Sequence, residues 1–203
     1  MSPYYTPPYD SPIEDKFAYH ATKYLLQDLQ FHTQYEVITI CGKFVVDFVA
    51  ISPSGKKIGI ECDGKDFHNK ARDEWRDAMI MGDDRLDSIY RLRGVDLTYF
   101  MNDVLYILSR CEPDLFSQRG HLNIETLAST EIQDIKVEKN QTTFYIQMKD
   151  DETDQISHIL IERRHKNIPK GKQQFWQNLY AFAKSQNGGI LDEIIATYKK
   201  NYI

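Results

Sequence analysis

Cysteine is scarce in this chain and scattered. The three present, Cys41, Cys62 and Cys111, are an odd number and form no CxxC pair. This argues against a disulfide framework and against a cysteine-rich structural zinc site. No apolar run approaches the roughly 18 residues that a membrane-spanning helix needs. The first ten residues have neither a basic start nor an apolar stretch, so they do not read as a signal peptide. An intracellular, cytoplasmic protein with no membrane partner is the resulting expectation. Proline is also sparse, and three of the seven prolines fall within residues 1–10. That segment reads as an extended tail. Surplus positive charge is missing too. The formal net charge is −5, which argues against a surface coated for nonspecific nucleic-acid binding but leaves room for a local basic patch. The acid surplus sits early: residues 1–120 carry 14 basic and 19 acidic side chains, and residues 121–203 carry 11 of each.

What is present suffices for a core. Hydrophobic residues make up 41% of the 203 and aromatic residues 12%, well above a disordered composition. Ser11, Pro12 and Glu14 form a helix start with a capping box. Ile13, Phe17, Ala21, Tyr24, Leu25 and Leu29 then recur at helical spacing. Tyr35–Ile40, Phe44–Ile51 and Lys57–Asp63 read as strands. The turn at Ser52–Lys56 makes the last two an antiparallel hairpin. A helix over Ala71–Met81, a strand over Ser88–Arg93 and a helix from Asp96 to about Arg110 complete an α-β-β-β-α-β-α order, an α/β unit with a small mixed sheet flanked by helices. The expected organisation is a tail (1–10), a core (11–112) and a C-terminal α+β part (113–203). That last part reads as three meander strands, Ile132–Val137, Thr143–Met148 and Ile156–Glu162, followed by helices near 172–186 and 190–201. It is either accessory or continuous with the core.

The chemically informative feature is a charge inside an apolar strand. Asp47 interrupts the otherwise apolar run Phe44–Ile51. A carboxylate there loses hydration and needs a cation or a donor. With the turn centred on Ser54, Asp47 lies opposite Glu61, and Asp63 shares the Glu61 face. Three converging carboxylates repel one another. A divalent cation with oxygen ligands, Mg²⁺ or Mn²⁺, relieves that repulsion and can act on phosphoryl groups. A buried Asp–Arg pair and a solvated strand end are the structural alternatives.

Several of these segments, in order, resemble the PD-(D/E)XK, or restriction-endonuclease-like, nuclease superfamily. The similarity is to the branch that holds the very-short-patch mismatch-repair endonucleases. It spans about residues 11–110. Ser11-Pro-Ile-Glu14 is similar to that branch's first-helix start, and Val46-Asp-Phe48 to its metal strand. Ile60-Glu-Cys-Asp-Gly64 with His68 resembles its E-x-D-G…H segment. Arg76-Asp77 and Tyr90-Arg-Leu-Arg93 resemble the helix and strand that follow. The resemblance implies a restriction-endonuclease-like core and a metal-dependent endonuclease acting on DNA in repair, restriction, defence or a mobile element. It implies metal ligation by Asp47, Glu61 and the Cys62 carbonyl. It further implies catalytic assistance from Glu14, Asp63 and His68. Where a typical member carries lysine this chain has Asp63, a departure that leaves the water-orienting group open.

Arg163, Arg164, Lys166, Lys170 and Lys172 fall within ten residues that contain no acid. They and Lys65 are candidate phosphate contacts; a solvated charged loop is the plain alternative. Cleavage of both strands by one site per chain would call for a homodimer. Two other functions fit the pattern: an inactive nuclease-fold module that binds nucleic acid or protein, and a metal-dependent hydrolase of another substrate.

Overall fold

The computed structural model describes residues 5–64, 70–138, 140–149 and 156–202. Ser11 caps the first helix, α1 (Pro12–Ala21), and its hydroxyl oxygen accepts the Glu14 amide at 3.2 Å. The strands β1 (Gln30–Thr39), β2 (Gly42–Ile51) and β3 (Lys57–Asp63) follow as an antiparallel set. β1 begins earlier than its aromatic run suggested, since Phe31 stacks on Phe48 of β2 at 5.3 Å. Next, α2 (Lys70–Gly82) leads to β4 (Ser88–Arg93), which lies parallel to β3.

The single helix expected from Asp96 is two, α3 (Gly94–Tyr99) and α4 (Met101–Cys111). They are separated at Phe100, whose backbone leaves the helical region (φ −127°, ψ 33°). The helix α5 (Gln118–Leu127) had no counterpart in the sequence pattern. The strand expected over Ile132–Val137 does not form. Ile132 lies in the short helix α6 (Thr130–Gln133) and is fully buried. Asp103 accepts the Ser129 amide and hydroxyl at 2.8 and 3.0 Å and fixes that helix start. Capping from a distant residue overrides the local β-branched pattern here.

The remaining elements are β5 (Thr143–Lys149), β6 (Ile156–His165), α7 (Phe175–Ser185) and α8 (Leu191–Tyr202). In place of a separate meander, β5 and β6 join the first strands in one six-stranded mixed sheet, in the order β1-β2-β3-β4-β6-β5. β6 docks antiparallel on β4, with Ser88 opposite His165 and Leu92 opposite Ile161. Apolar side chains from α1, α4, α5 and α6 cover one face of the sheet. Those of α2, α7 and α8 cover the other. The protein is therefore an α/β structure with helices on both faces. Among the described residues no helix is long and apolar enough to cross a membrane.

Two contacts join late elements to early ones. Tyr180 of α7 packs where a Gly82 side chain would stand, since a Cβ there would lie 2.0 Å from its ring. Gly188, at φ +71°, lets the chain pass the Ile40 carbonyl, which a Cβ would approach to 2.3 Å.

Under the first face lies a buried polar cluster. The Glu112 carboxylate, 1% exposed, accepts from the Tyr90 hydroxyl (2.7 Å) and Arg163 Nη2 (2.8 Å), and also pairs with Lys56. Removing one partner of such a pair strands the other charge. Glu112→Ala is expected to lower stability by about 3–5 kcal/mol. Glu112→Gln, which keeps an acceptor, should lose less. Urea unfolding midpoints of the two variants check this ordering.

Candidate functional site

The β2–β3 hairpin has the register that the turn implied. Phe48 faces Ile60 and Ala50 faces Ile58, which makes Asp47 and Glu61 the next pair along. The backbone ladder stops at Phe48 and Ile60. Beyond it the Asp47 side chain, through Oδ2, accepts the Cys62 amide at 2.8 Å. A carboxylate thus stands in for the neighbouring strand's carbonyl, and the gap exposes side-chain oxygens between two strands.

The other side of β2 is interrupted at the same level. Thr33 pairs with Phe48 and Tyr35 with Val46, but Gln34 between them sits at φ 47°. A left-handed non-glycine residue costs about 1–3 kcal/mol and persists only where the surroundings enforce it. The Gln34 amide donates to Glu14 Oε2 at 3.0 Å, and the Ser11 hydroxyl donates to Glu14 Oε1 at 2.7 Å. Glu14 therefore serves the helix start and also faces the site. It is buried, and its charge opposes ionisation of Asp47.

Glu61 is 4% exposed and Asp47 is half-buried. Burial pushes Glu61 up to about 8, with the Asp47 charge adding to the shift and Arg76 opposing it. Burial likewise pushes Asp47 up to about 6, against the opposing Cys62 amide bond. Arg76 of α2 supplies the positive charge at Glu61: its Nη2 pairs with Glu61 Oε1 and donates to the Val45 carbonyl at 2.5 Å. Asp63 is taken by Arg91, whose Nη1 reaches its two oxygens at 2.9 and 3.2 Å. Arg91 is itself forked onto Asp77 of α2, at 2.8 and 3.0 Å. Burial raises the Cys62 thiol well above its ordinary value, so that side chain stays a neutral core group.

The structure thus gathers Glu14, Asp47, Glu61 and Cys62 and ties Asp63 to the edge of the group. His68 and Lys65 lie outside the described residues. Gln34, Arg76 and Arg91 are site residues to which sequence reasoning gave no role. A signal existed for Arg91, a charge inside the apolar strand Ser88–Arg93 and the cationic counterpart of Asp47. Gln34 had none.

The five basic residues of the 163–172 stretch do not act as one patch. Arg163 is a correction: it lies in β6, is 2% exposed, pairs with Glu112 and sits over the Tyr90 ring, so it is closed to a ligand. Arg164 and His165 also belong to β6 and not to a loop. Lys166 is half-buried. It pairs with Asp84 (2.5 Å) at the end of β4 where the strand begins, and the candidate site lies at the other end. Lys170 is exposed on the loop that follows β6.

Arg164 and Lys172 do line open space. A cavity of about 430 Å³ opens beside Asp63 and Arg91 and is walled by Lys70, Glu74, Glu162 and Arg164. Those four also wall a neighbouring cavity of about 520 Å³, which reaches Lys172, Gln174 and Trp176. Sharing these walls, they form one groove that starts beside Asp63, and neither Asp47 nor Glu61 lines it. Its cations are partly neutralised, since Glu162 accepts from both Lys70 and Arg164 at 2.9 Å.

Among the described residues no three His, Cys, Asp or Glu side chains form a metal cage. The donors do suit Mg²⁺ in its usual manner, one or two carboxylates with water completing the shell. Asp47, Glu61 and the Cys62 carbonyl would be those donors, and two desolvated carboxylates with raised proton affinity are the chemistry that a hard cation relieves. No family model, curated protein or solved structure matches the chain.

The raised carboxylates set a pH dependence. The folded state binds protons at Asp47 and Glu61 that the unfolded state has released, so their contribution to stability is complete below about pH 4 and is lost as pH rises through about 6 and then about 8. His20 and His165, both held low by burial, act oppositely, but only up to about pH 6.5. Between about pH 6.5 and 8.5 the metal-free protein should therefore lose thermal stability. Glu61→Gln should flatten that decline, as measured by calorimetric Tm across a buffer series.

Proposed function

We propose that the protein is a divalent-metal-dependent endonuclease with a restriction-endonuclease-like core, hydrolysing phosphodiester bonds in DNA. The observation that carries this reading is the pair Asp47 and Glu61. Glu61 is buried and Asp47 half-buried on adjacent strands where the ladder parts, and Asp47 is anchored by a backbone amide. The ordered resemblance to the very-short-patch-repair branch supports the same reading. So does the groove that opens beside Asp63 and Arg91.

In this reading Asp47, Glu61 and the Cys62 carbonyl hold the metal. A bound Mg²⁺ would supply Lewis acidity at a phosphoryl oxygen and make a neighbouring water easier to deprotonate. The Cys62 amide fixes Asp47 through Oδ2 and leaves its other oxygen to turn toward the gap. Glu14, held by Ser11 and Gln34, adds negative charge beside Asp47 and strengthens the attraction for a cation. Asp63 is occupied by Arg91, so the proton transfers fall to His68, whose ordinary pKa suits that task. Lys70, Arg164 and Lys172 along the groove steady the strand through its phosphates.

One observation favours a second reading. Arg76 already satisfies Glu61, as it would in a module that keeps the fold and binds nucleic acid or a protein without cutting. Supercoiled, linear and mismatched DNA incubated with Mg²⁺ or Mn²⁺ separates the two. Nicking is expected from the wild type, and Asp47→Asn and Glu61→Gln should each reduce it roughly 10²-fold or more, a loss of about 3 kcal/mol or more in transition-state stabilisation. DNA binding without metal-dependent cleavage would support the inactive module.

A further inference from the structure

The position of Arg76 follows from a neighbour. Asp77 is fully buried and takes Arg91 of β4 in a two-bond fork. That fork pins α2 to the sheet and sets Arg76, one residue earlier, over the gap between β2 and β3. There a single guanidinium nitrogen bridges the gap, bonding the Val45 carbonyl on one strand and the Glu61 carboxylate on the other. A carboxylate oxygen with a backbone carbonyl is also the donor chemistry that a hard divalent cation takes. A metal ion at Glu61 would sit close to the Arg76 guanidinium on Oε1, and with little solvent to screen them the two cations repel each other and compete for the carboxylate.

We propose that Arg76 is a built-in competitor for the metal ion, holding Glu61 in the metal-free protein and giving it up when the ion arrives. The proposal rests on the metal-dependent reading above and deepens it. In the metal-free state Arg76 offsets the mutual repulsion of Glu61 and Asp47 and keeps the gap from collapsing. The Arg76 side chain is 15% exposed against 5% for Glu61, so the guanidinium has a way out toward solvent and the carboxylate does not. Loading is an exchange of one cation for another, and Arg76 sets the affinity.

The test is calorimetric titration of Mg²⁺ and of Ca²⁺ into wild type, Arg76→Gln and Arg76→Lys without DNA, at about pH 8.5 to limit proton competition at Glu61. Removing the competitor should tighten metal binding about tenfold, within the usual range for two coupled sites. Arg76→Lys, which keeps a charge on a differently shaped head group, should fall between. Equal or weaker binding by Arg76→Gln overturns the proposal and leaves the nuclease reading standing, because a merely structural arginine would give that result. If neither wild type nor Arg76→Gln binds an ion, the metal site itself is refuted and Arg76 is not what excludes it. Nitrogen-15 spectra of the arginine side chains supply a check that needs no glutamine variant to fold. In the wild type the Arg76 signal, assigned by its loss in Arg76→Lys, should move to a solvent-like position on Ca²⁺ saturation. A signal that stays in place while the ion binds overturns the exchange.

Discussion

A guanidinium buried in a central strand has to be compensated, and the way Arg91 is compensated organises this protein. Its two forks run to Asp77 on α2 and to Asp63 at the end of β3. The first fixes a helix to the sheet and the second fixes the end of a strand. Arg76 reaches Glu61 because Asp77 has already been placed. A hydrophobic contact lacks the directionality to set that geometry.

The same device recurs on the opposite face. Glu112, at the end of α4, gathers Tyr90 from β4, Arg163 from β6 and Lys56 from the hairpin turn. Burying ions is costly, and an apolar substitute of the same volume is often as stable. These clusters therefore contribute placement more than stability. The Glu112 cluster ties β6, a strand late in the sequence, to the sequence-early part of the sheet, so the sheet runs across the expected boundary at residue 112.

Between these two braces sits a pair of carboxylates that the fold does not fully neutralise. Asp47 has one backbone amide and Glu61 has Arg76, yet both keep raised proton affinities. Next to them Gln34 holds a left-handed backbone that β1 would not adopt unaided. Residual charge frustration and local strain coincide at this place, which supports the proposed reading of it as a site kept for chemistry.

By itself the sequence determined several of the elements and one decisive register. Periodicity and turn residues located the start of α1, which stops at Ala21 short of the Tyr24, Leu25 and Leu29 that continued its spacing, and also the β2–β3 hairpin, α2 and β4. The Ser52–Lys56 turn set Asp47 opposite Glu61, because a short hairpin leaves little freedom in pairing. It also marked Asp47 as anomalous, since a charge in an apolar strand is visible without coordinates. Only the tertiary structure decided who answers that charge. Arg76 answers Glu61, Cys62 answers Asp47 and Arg91 answers Asp63, each across a separation that no local pattern spans. The same limit explains Ile132, whose helical turn is capped by Asp103 from another helix, and Arg163, a cation that reads as surface in the chain and is buried in the fold. Local propensity acts over a few residues, whereas the compensation of a buried charge depends on whichever distant group the packing brings within about 3 Å.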